Sequence, residues 1–474
     1  MGELIVSEGV YDVVIIGAGP GGYVAAIRAG QLGLRVAIVE TGALGGVCLN
    51  VGCLPTKALL HCADLLDEVK EAKRFGVHVE GLSFDLEGAL RHKETVVKAS
   101  TEGVSFLLKK NKVEVVAGWG VLAGRGQVHV QLSAGGERTL VAKQIIVATG
   151  AQPRPFPGVP FDHTRILSST DALKLTAVPS QLLAIGAGAI GVEFASMFRA
   201  FGAETTVIEA LPRLVPNEDE EVSAELDKAF KRRGIKTLAG ARVEGITVEG
   251  EQVVVSVTGA DGQRQQLTGE KLLVAIGIRP NTQGLGLEAA GVRLNAKGFI
   301  ETDNVMRAAD GLYAIGDCVA TTPWLAHKAS AEGLLAVEHS AGHAVTPLVY
   351  HKIAACTYCN PEIASVGLTE AQAKAQGHTV KVGKFPFAAN GKARVLAQNR
   401  FGFVKLVADQ QYGEILGVHM IGPRVTELIS EGGLALTHEA TGESLLGTIH
   451  AHPTLYEAIG EAAHALVHGA ALHI

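Results

Sequence analysis

The sequence has no uninterrupted apolar run of 18 or more residues, so the simplest signature of a transmembrane helix is missing. Its first ten residues hold no basic segment followed by an apolar run, so no signal peptide is expected. It also lacks an excess of positive charge. Lys and Arg number 42 against 48 Asp and Glu, a net charge of −6. That balance leaves no basic field for a nucleic acid or an anionic membrane, and neither is expected as a partner. Cysteine is scarce, six in 474 residues, which is too few for a disulfide scaffold. A cytoplasmic protein with a catalytic thiol pair is the better expectation. No low-complexity segment is visible.

What is present points to several domains. A chain of 474 residues exceeds one hydrophobic core, and at roughly 100–200 residues each it would hold about three or four domains. Glycine is abundant at 58, a sign of tight turns and close backbone approaches. Tyr11–Ile16 reads as a short buried strand, Tyr23–Leu32 as a helix and Arg35–Glu40 as a second strand, a βαβ unit. The pattern returns with the strand Gln181–Ile185, a helix over Val192–Phe201 and the strand Glu204–Glu209. Two further buried strands, Lys143–Gly150 and Lys271–Ile276, end in glycine, the second running into Gly277. Prolines at 153, 155, 157 and 160 mark a boundary near residue 155. Beyond about residue 350, β-like runs (Gly402–Val407, Ile415–Gly422) and helical segments suggest a separate α+β domain.

The fold expected is therefore α/β, with two Rossmann-like dinucleotide-binding domains and a C-terminal α+β domain. The domain spans are 1–155, 156–282, 283–350 and 351–474. Gly17, Gly19 and Gly22 form one G-x-G-x-x-G; Gly186, Gly188 and Gly191 form the other. In each, the first glycine allows the turn, the second lets a pyrophosphate approach the backbone, and the third lets helix and strand pack closely. The helix N-terminus behind the loop offers free N–H groups to phosphate. An acidic residue follows the third glycine by 18 positions in both copies, Glu40 and Glu209, each placed to accept from a ribose. A carboxylate at Glu209 favours the free 2′-hydroxyl of NAD over the 2′-phosphate of NADP. Two such sites suggest two cofactors exchanging electrons, FAD in the first and NAD in the second.

Cys48 and Cys53 lie five apart in LGGVCLNVGCLPTKALL. On a straight helix their Cα atoms would be about 8–9 Å apart and well over 100° out of phase, beyond the reach of a disulfide. The pair can meet only if the helix is distorted, and Gly52 and Pro55 make that plausible. Nearby helix N-termini and Lys57 favour thiolate. Far along the chain, IHAHPTLYE offers a base for a thiol substrate, with His450 and His452 in competition. Cys356 and Cys359 form half a zinc site at most, and no metal is expected.

These motifs, with GAGAIGVEFASMF, YAIGDC, LAHKASAEG and NPEIASVGLTE, make the chain similar to the pyridine nucleotide–disulfide oxidoreductases. The resemblance runs from Tyr11 to Ile474 and is strongest to the dihydrolipoamide dehydrogenase branch. It implies that Cys48 attacks substrate, that Cys53 faces the flavin with Lys57 near its ring, and that Asp317 binds FAD. It implies that Glu193 and Gly277 lie with the NAD site, and that His452 is the base with Glu457 as its partner. It further implies a homodimer completing each active site, dihydrolipoamide on a lipoyl domain as substrate, and the acyltransferase core of a 2-oxoacid dehydrogenase complex as partner. A glutathione- or mercuric-reductase-like activity and a chiefly docking role are the alternatives. The C-terminal HGAALHI lacks the paired cysteines that a mercuric-ion reductase would present. Val47, Thr56, Ile278, Cys359 and Asn360 depart from the commonest pattern. The Glu209 argument gives a direct expectation: NADH should support turnover far better than NADPH, as steady-state rates with each would measure, and equal rates would refute it.

Overall fold

Branched apolar residues make the strand β1 (Tyr11–Ile16) nearly continuous in burial, as a parallel strand covered on both faces must be. The computed structural model describes residues 5–6, 9–398 and 401–474. After β1 come helix α1 (Pro20–Gln31), strand β2 (Val36–Glu40), helices α2 (Gly46–Val51) and α3 (Cys53–Glu71), and strands β3 (Glu114–Leu122) and β4 (Glu137–Val147). α1 starts three residues before the expected Tyr23. Pro20 has no N–H to leave unpaired and suits the first helical turn, and Gly19 supplies the extended N-cap. The parallel sheet runs Leu312–Ala314, β4, β1, β2, β3.

The second βαβ unit repeats this order. It comprises β5 (Gln181–Ile185), α4 (Ala189–Phe201), β6 (Glu204–Glu209), α5 (Glu220–Arg232), β7 (Lys236–Ala239) and β8 (Lys271–Val274). Its sheet runs β7, β6, β5, β8, Ile166–Leu167, all parallel. Read from the first strand of each unit, the neighbours match position for position.

Helix α6 (Ala326–Ser340) packs on α1 where both carry glycine. A Cβ on Gly333 would lie 2.6 Å from the Gly21 carbonyl oxygen, so the helices cross at backbone distance. The C-terminal sheet is antiparallel, ordered Ala355–Thr357, β9 (Glu362–Gly367), β11 (Ile415–Gly422), β10 (Phe403–Asp409), Val380–Pro386. Helix α7 (Glu457–His468) covers it, lying close over Gly383. The expected α/β class with two Rossmann-like sheets and an α+β C-terminal portion is what the structure has.

The chain forms two compact units. One holds residues up to 59, 87–154 and 278–348; the other holds 60–86, 155–277 and 349–474. The first unit buries a charged pair. Lys328 and Glu332, both fully buried on α6, sit 3.2 Å apart. Glu332 also accepts from the Gly316 N–H at 2.8 Å and the Thr321 hydroxyl at 2.7 Å, and Lys328 donates to the Gly316 carbonyl. A buried ion pair survives only when its remaining valences are filled, as here by the loop 316–321. Glu332→Ala leaves a buried ammonium unpaired and should cost about 3–5 kcal/mol. The exposed Glu87–Arg91 pair serves as control: Glu87→Ala should leave the urea midpoint nearly in place.

Candidate active site

The two glycine-rich loops have the same geometry, glycine by glycine. A Cβ on Gly17 would lie 2.3 Å from the Ala148 carbonyl oxygen; on Gly186, 2.4 Å from that of Ala275. Each stands at positive φ as well, +105° and +98°. A Cβ on Gly22 would meet the Gly17 oxygen at 1.9 Å, and on Gly191 the Gly186 oxygen at 1.8 Å. At the middle glycines, Gly19 and Gly188, no described atom beyond the adjoining residues lies within 4 Å of where a Cβ would be. Protein packing does not require glycine there, whereas a close phosphate would. Both helices also open without a side-chain cap, which leaves first-turn N–H groups for an anion. Both loops therefore fit a dinucleotide pyrophosphate.

Glu40 and Glu209 have a duty that the sequence reading did not foresee. Glu40 accepts from the Ala18 N–H at 2.7 Å and the Gly42 N–H at 2.7 Å. Glu209 accepts from Ala187 at 2.7 Å and Leu211 at 2.8 Å. Each carboxylate oxygen takes one amide and keeps a lone pair for another donor. Asp317 differs. It follows strand Leu312–Ala314 in a 3-10 turn, its carboxyl is raised above the usual range by burial, and it accepts no hydrogen bond from the described residues. A partly desolvated carboxylate without a donor fits a hydroxyl-rich ligand such as the ribityl chain of FAD.

The helix between the cysteines is broken, as their spacing requires. α2 ends at Val51, Gly52 leaves the helical region (φ −136°, ψ −110°), and Cys53 begins α3. The break is held by Thr56, whose hydroxyl donates to the Gly52 carbonyl at 2.6 Å, and by Asn50, whose amide donates to Leu44 and Gly46 carbonyls. A Cβ at Gly52 would press on Val47, 2.8 Å from its carbonyl oxygen. Thr56, one departure from the common pattern, is thus a buried brace; Val47, another, is exposed.

Both cysteines are free thiols, and they hydrogen-bond to each other. Lys57 acts on Cys48 in the expected direction, but the neighbouring thiol outweighs it. The bond to Cys53 and then burial push the Cys48 thiol well up, and Lys57 pulls only weakly the other way. In the dithiol one sulfur holds a proton against the other, so the shift belongs to the pair. Tyr23 on α1 faces them; burial and then the two sulfurs raise its hydroxyl.

In the second unit Glu193 is buried on α4 and accepts from the Tyr358 N–H at 2.9 Å. Ser196, one turn on, accepts from Asn360 at 3.1 Å, so the departing Cys359–Asn360 segment is strapped to this helix. Cys359 is buried and Cys356 is pushed up to about 11 by burial. No group of three or more His, Cys, Asp or Glu that could hold a metal ion occurs among the described residues. Gly277 leaves β8 at φ +109° with open space around it.

The two histidines of IHAHPTLYE part company. His452 is 78% exposed, with Nδ1 2.8 Å from Glu457 Oε1. Burial would raise Glu457, but its bonds to His452 and the Thr454 N–H hold it below the usual carboxylate range. His450 turns inward to Glu431, Nε2 to Oε1 2.8 Å, against Gly460, where a Cβ would come within 2.9 Å of the ring. The Glu431 bond raises His450, against burial. A raised histidine stabilises fully below its unfolded value near 6.5, and the contribution is lost as pH rises through the folded value. Melting temperatures should therefore separate wild type from Glu431→Gln most at pH 6 and least at pH 9; a gap that widens with pH would refute this.

The comparisons agree with this geometry. Residues 11–333 match the pyridine nucleotide-disulphide oxidoreductase family, and residues 353–463 match its dimerisation domain. The chain is 46% identical to the dihydrolipoyl dehydrogenase of Zymomonas mobilis, over 98% of this chain and 99% of that one. It is 45% identical to that of Bacillus subtilis, with 98% and 99% covered. Among solved structures, LpdA from Mycobacterium tuberculosis superposes with a TM-score of 0.89 at 30% identity, over 97% of this chain and 100% of that one. The flavoprotein disulfide reductase RclA from Escherichia coli gives 0.85 at 27% identity, with the same coverage. Two matched glycine loops, a cysteine pair across a helix break and a dimerisation domain agree with these matches: the chain belongs to the pyridine nucleotide–disulphide oxidoreductase family.

Proposed function

We propose that the protein is a dihydrolipoamide dehydrogenase, oxidising dihydrolipoamide to lipoamide with NAD⁺ as final acceptor and FAD as cofactor. The observation that carries this is the thiol pair brought together across the break at Gly52, directly after a dinucleotide loop. Residues 1–155 and 283–350 would form the FAD-binding part, 156–282 the NAD-binding part and 351–474 the dimerisation domain of a homodimer. Gly17, Gly19, Gly22, Glu40, Lys57 and Asp317 would hold FAD. Gly186, Gly188, Gly191, Glu193, Glu209 and Gly277 would hold NAD.

The resting oxidised pair is a Cys48–Cys53 disulfide. His452, with its Nδ1 proton turned to Glu457, offers Nε2 to a substrate thiol and takes its proton. We assign this role to the partner subunit's copy in the dimer. The substrate thiolate attacks Cys48 Sγ, the Cys48–Cys53 bond breaks, and Cys53 leaves as thiolate. The second substrate thiol then attacks the mixed disulfide, and lipoamide departs while Cys48 regains a proton. Cys48 then gives up its proton as the Cys48–Cys53 disulfide re-forms, and bound FAD would supply the path by which the released electron pair reaches NAD⁺, giving NADH.

No helix among the described residues is long and apolar enough to cross a membrane. We place the enzyme in the cytoplasm, where thiols stay reduced, with the acyltransferase core of a 2-oxoacid dehydrogenase complex as its assembly partner. Cys48→Ser should retain bound flavin and lose dihydrolipoamide-dependent NAD⁺ reduction by on the order of a thousandfold or more. Turnover that survives this change would refute the scheme.

A further inference from the structure

The two glycine loops are held alike at one alanine and differently beyond it. Ala18 donates its N–H to Glu40, and its carbonyl accepts from the Gly45 N–H at 2.8 Å. Ala187 donates to Glu209, and its carbonyl accepts from the Val215 N–H at 2.8 Å. After Gly45 the chain enters the cysteine helix. After Val215 it enters the loop that caps α5.

Val215 occupies the place that glycine fills in the first copy, yet it stands at φ +39°. A β-branched residue in the left-handed region is strained and persists only where its surroundings impose the conformation. Here the side chain is 4% exposed, and the carbonyl accepts from the Glu218 N–H at 2.9 Å and the Ser223 hydroxyl at 3.3 Å. Four residues on, Asp219 caps α5 through the Glu221 N–H. Both its oxygens also take Lys405 Nζ, at 3.0 and 3.1 Å.

Lys405 is 2% exposed on β10 of the C-terminal sheet. Its neighbours across the strands are His419 and Lys384, and Ser365 stands beyond His419. These four share one face. Three carboxylates at the start of α5 meet the row: Glu218 bonds Ser365, Asp219 bonds Lys405, and Glu221 bonds Lys405 and Lys384. Glu370 Oε2, outside the loop, is the third carboxylate on Lys405, at 2.8 Å.

We propose that Lys405 is a positioning residue for the second dinucleotide. By holding Asp219 it keeps Val215 where its N–H fixes the Ala187 carbonyl, and so keeps the N–H groups behind Gly188 aimed at a pyrophosphate. The inference rests on the reading of that loop as the NAD site.

The test is ADP-ribose binding to the FAD-loaded dimer by calorimetry, since this probe carries the pyrophosphate and no hydride acceptor. Lys405→Met and Asp219→Asn should each weaken it about tenfold, or ~1.4 kcal/mol. The KM for NAD⁺ should rise in step, with kcat and the KM for dihydrolipoamide unchanged. Lys405→Arg should restore most of the affinity, and Glu370→Gln should leave it as in wild type. Should Lys405→Met fail to fold, Asp219→Asn, which keeps the helix cap, carries the test. Unchanged binding in Asp219→Asn, or equal loss in Glu370→Gln, would overturn the inference alone. No binding by the wild-type protein would overturn the NAD reading together with it.

Discussion

A single alanine in each nucleotide-binding unit sets much of its surroundings. The amides of Ala18 and Ala187 are taken by a carboxylate at the end of the neighbouring strand, and their carbonyls by the main-chain N–H of Gly45 and of Val215, a short way beyond that strand. With the peptides on both sides of that alanine held, the turn cannot swing, and the middle glycine is left with uncapped helix amides behind it. A carboxylate that accepts two N–H bonds is a rigid bracket rather than a mobile side chain. The same bracket governs the next segment of the chain. In one unit that segment carries the thiols; in the other it is pinned to the C-terminal sheet.

The thiol pair depends on a local failure of helix geometry. Continuous helix would keep Cys48 and Cys53 apart, and Gly52 interrupts it at the one place that brings them into contact. Thr56 and Asn50 brace the segments on either side of the break through the Gly52, Leu44 and Gly46 carbonyls. The two cysteines sit differently on either side of the break: Cys53 opens a 19-residue helix, whereas Cys48 lies inside a helix of six residues. Charge is handled with the same economy. Lys328 with Glu332 and Lys405 with its three carboxylates are buried ammonium groups whose partners include groups from loops. Each therefore adds a polar tie to a loop that also buries apolar residues, Val319 in one and Val215 in the other.

Much of the architecture is legible in the sequence, and the limits are physical. β1 and β5 can be read to the residue because a strand covered on both faces is an apolar run with sharp ends. Periodicity starts α1 and α4 three residues late, because Pro20, Gly21 and Gly22 in one and Gly191 in the other interrupt the apolar pattern, while the loop before them already begins the helix. β4 begins at Glu137 rather than Lys143, since its first half alternates and pairs with an antiparallel neighbour, a partner that a local pattern cannot reveal. His450 and His452 are equivalent in sequence. They separate because Glu431, nineteen residues upstream, captures one, while Glu457 captures the other.

What the sequence determined by itself is whatever local sterics decide: the glycines of the two loops, the strands beside them, and the need for a break between Cys48 and Cys53. These depend on atoms within a few residues of one another. Only the tertiary structure decided which polar residues hold the loops. Glu332 reaches Gly316, and Lys405 reaches Asp219 across 186 residues. Such pairs are set by where sheets bring distant strands together and by the cost of leaving a buried charge unpaired, and neither quantity is written in the spacing of residues along the chain.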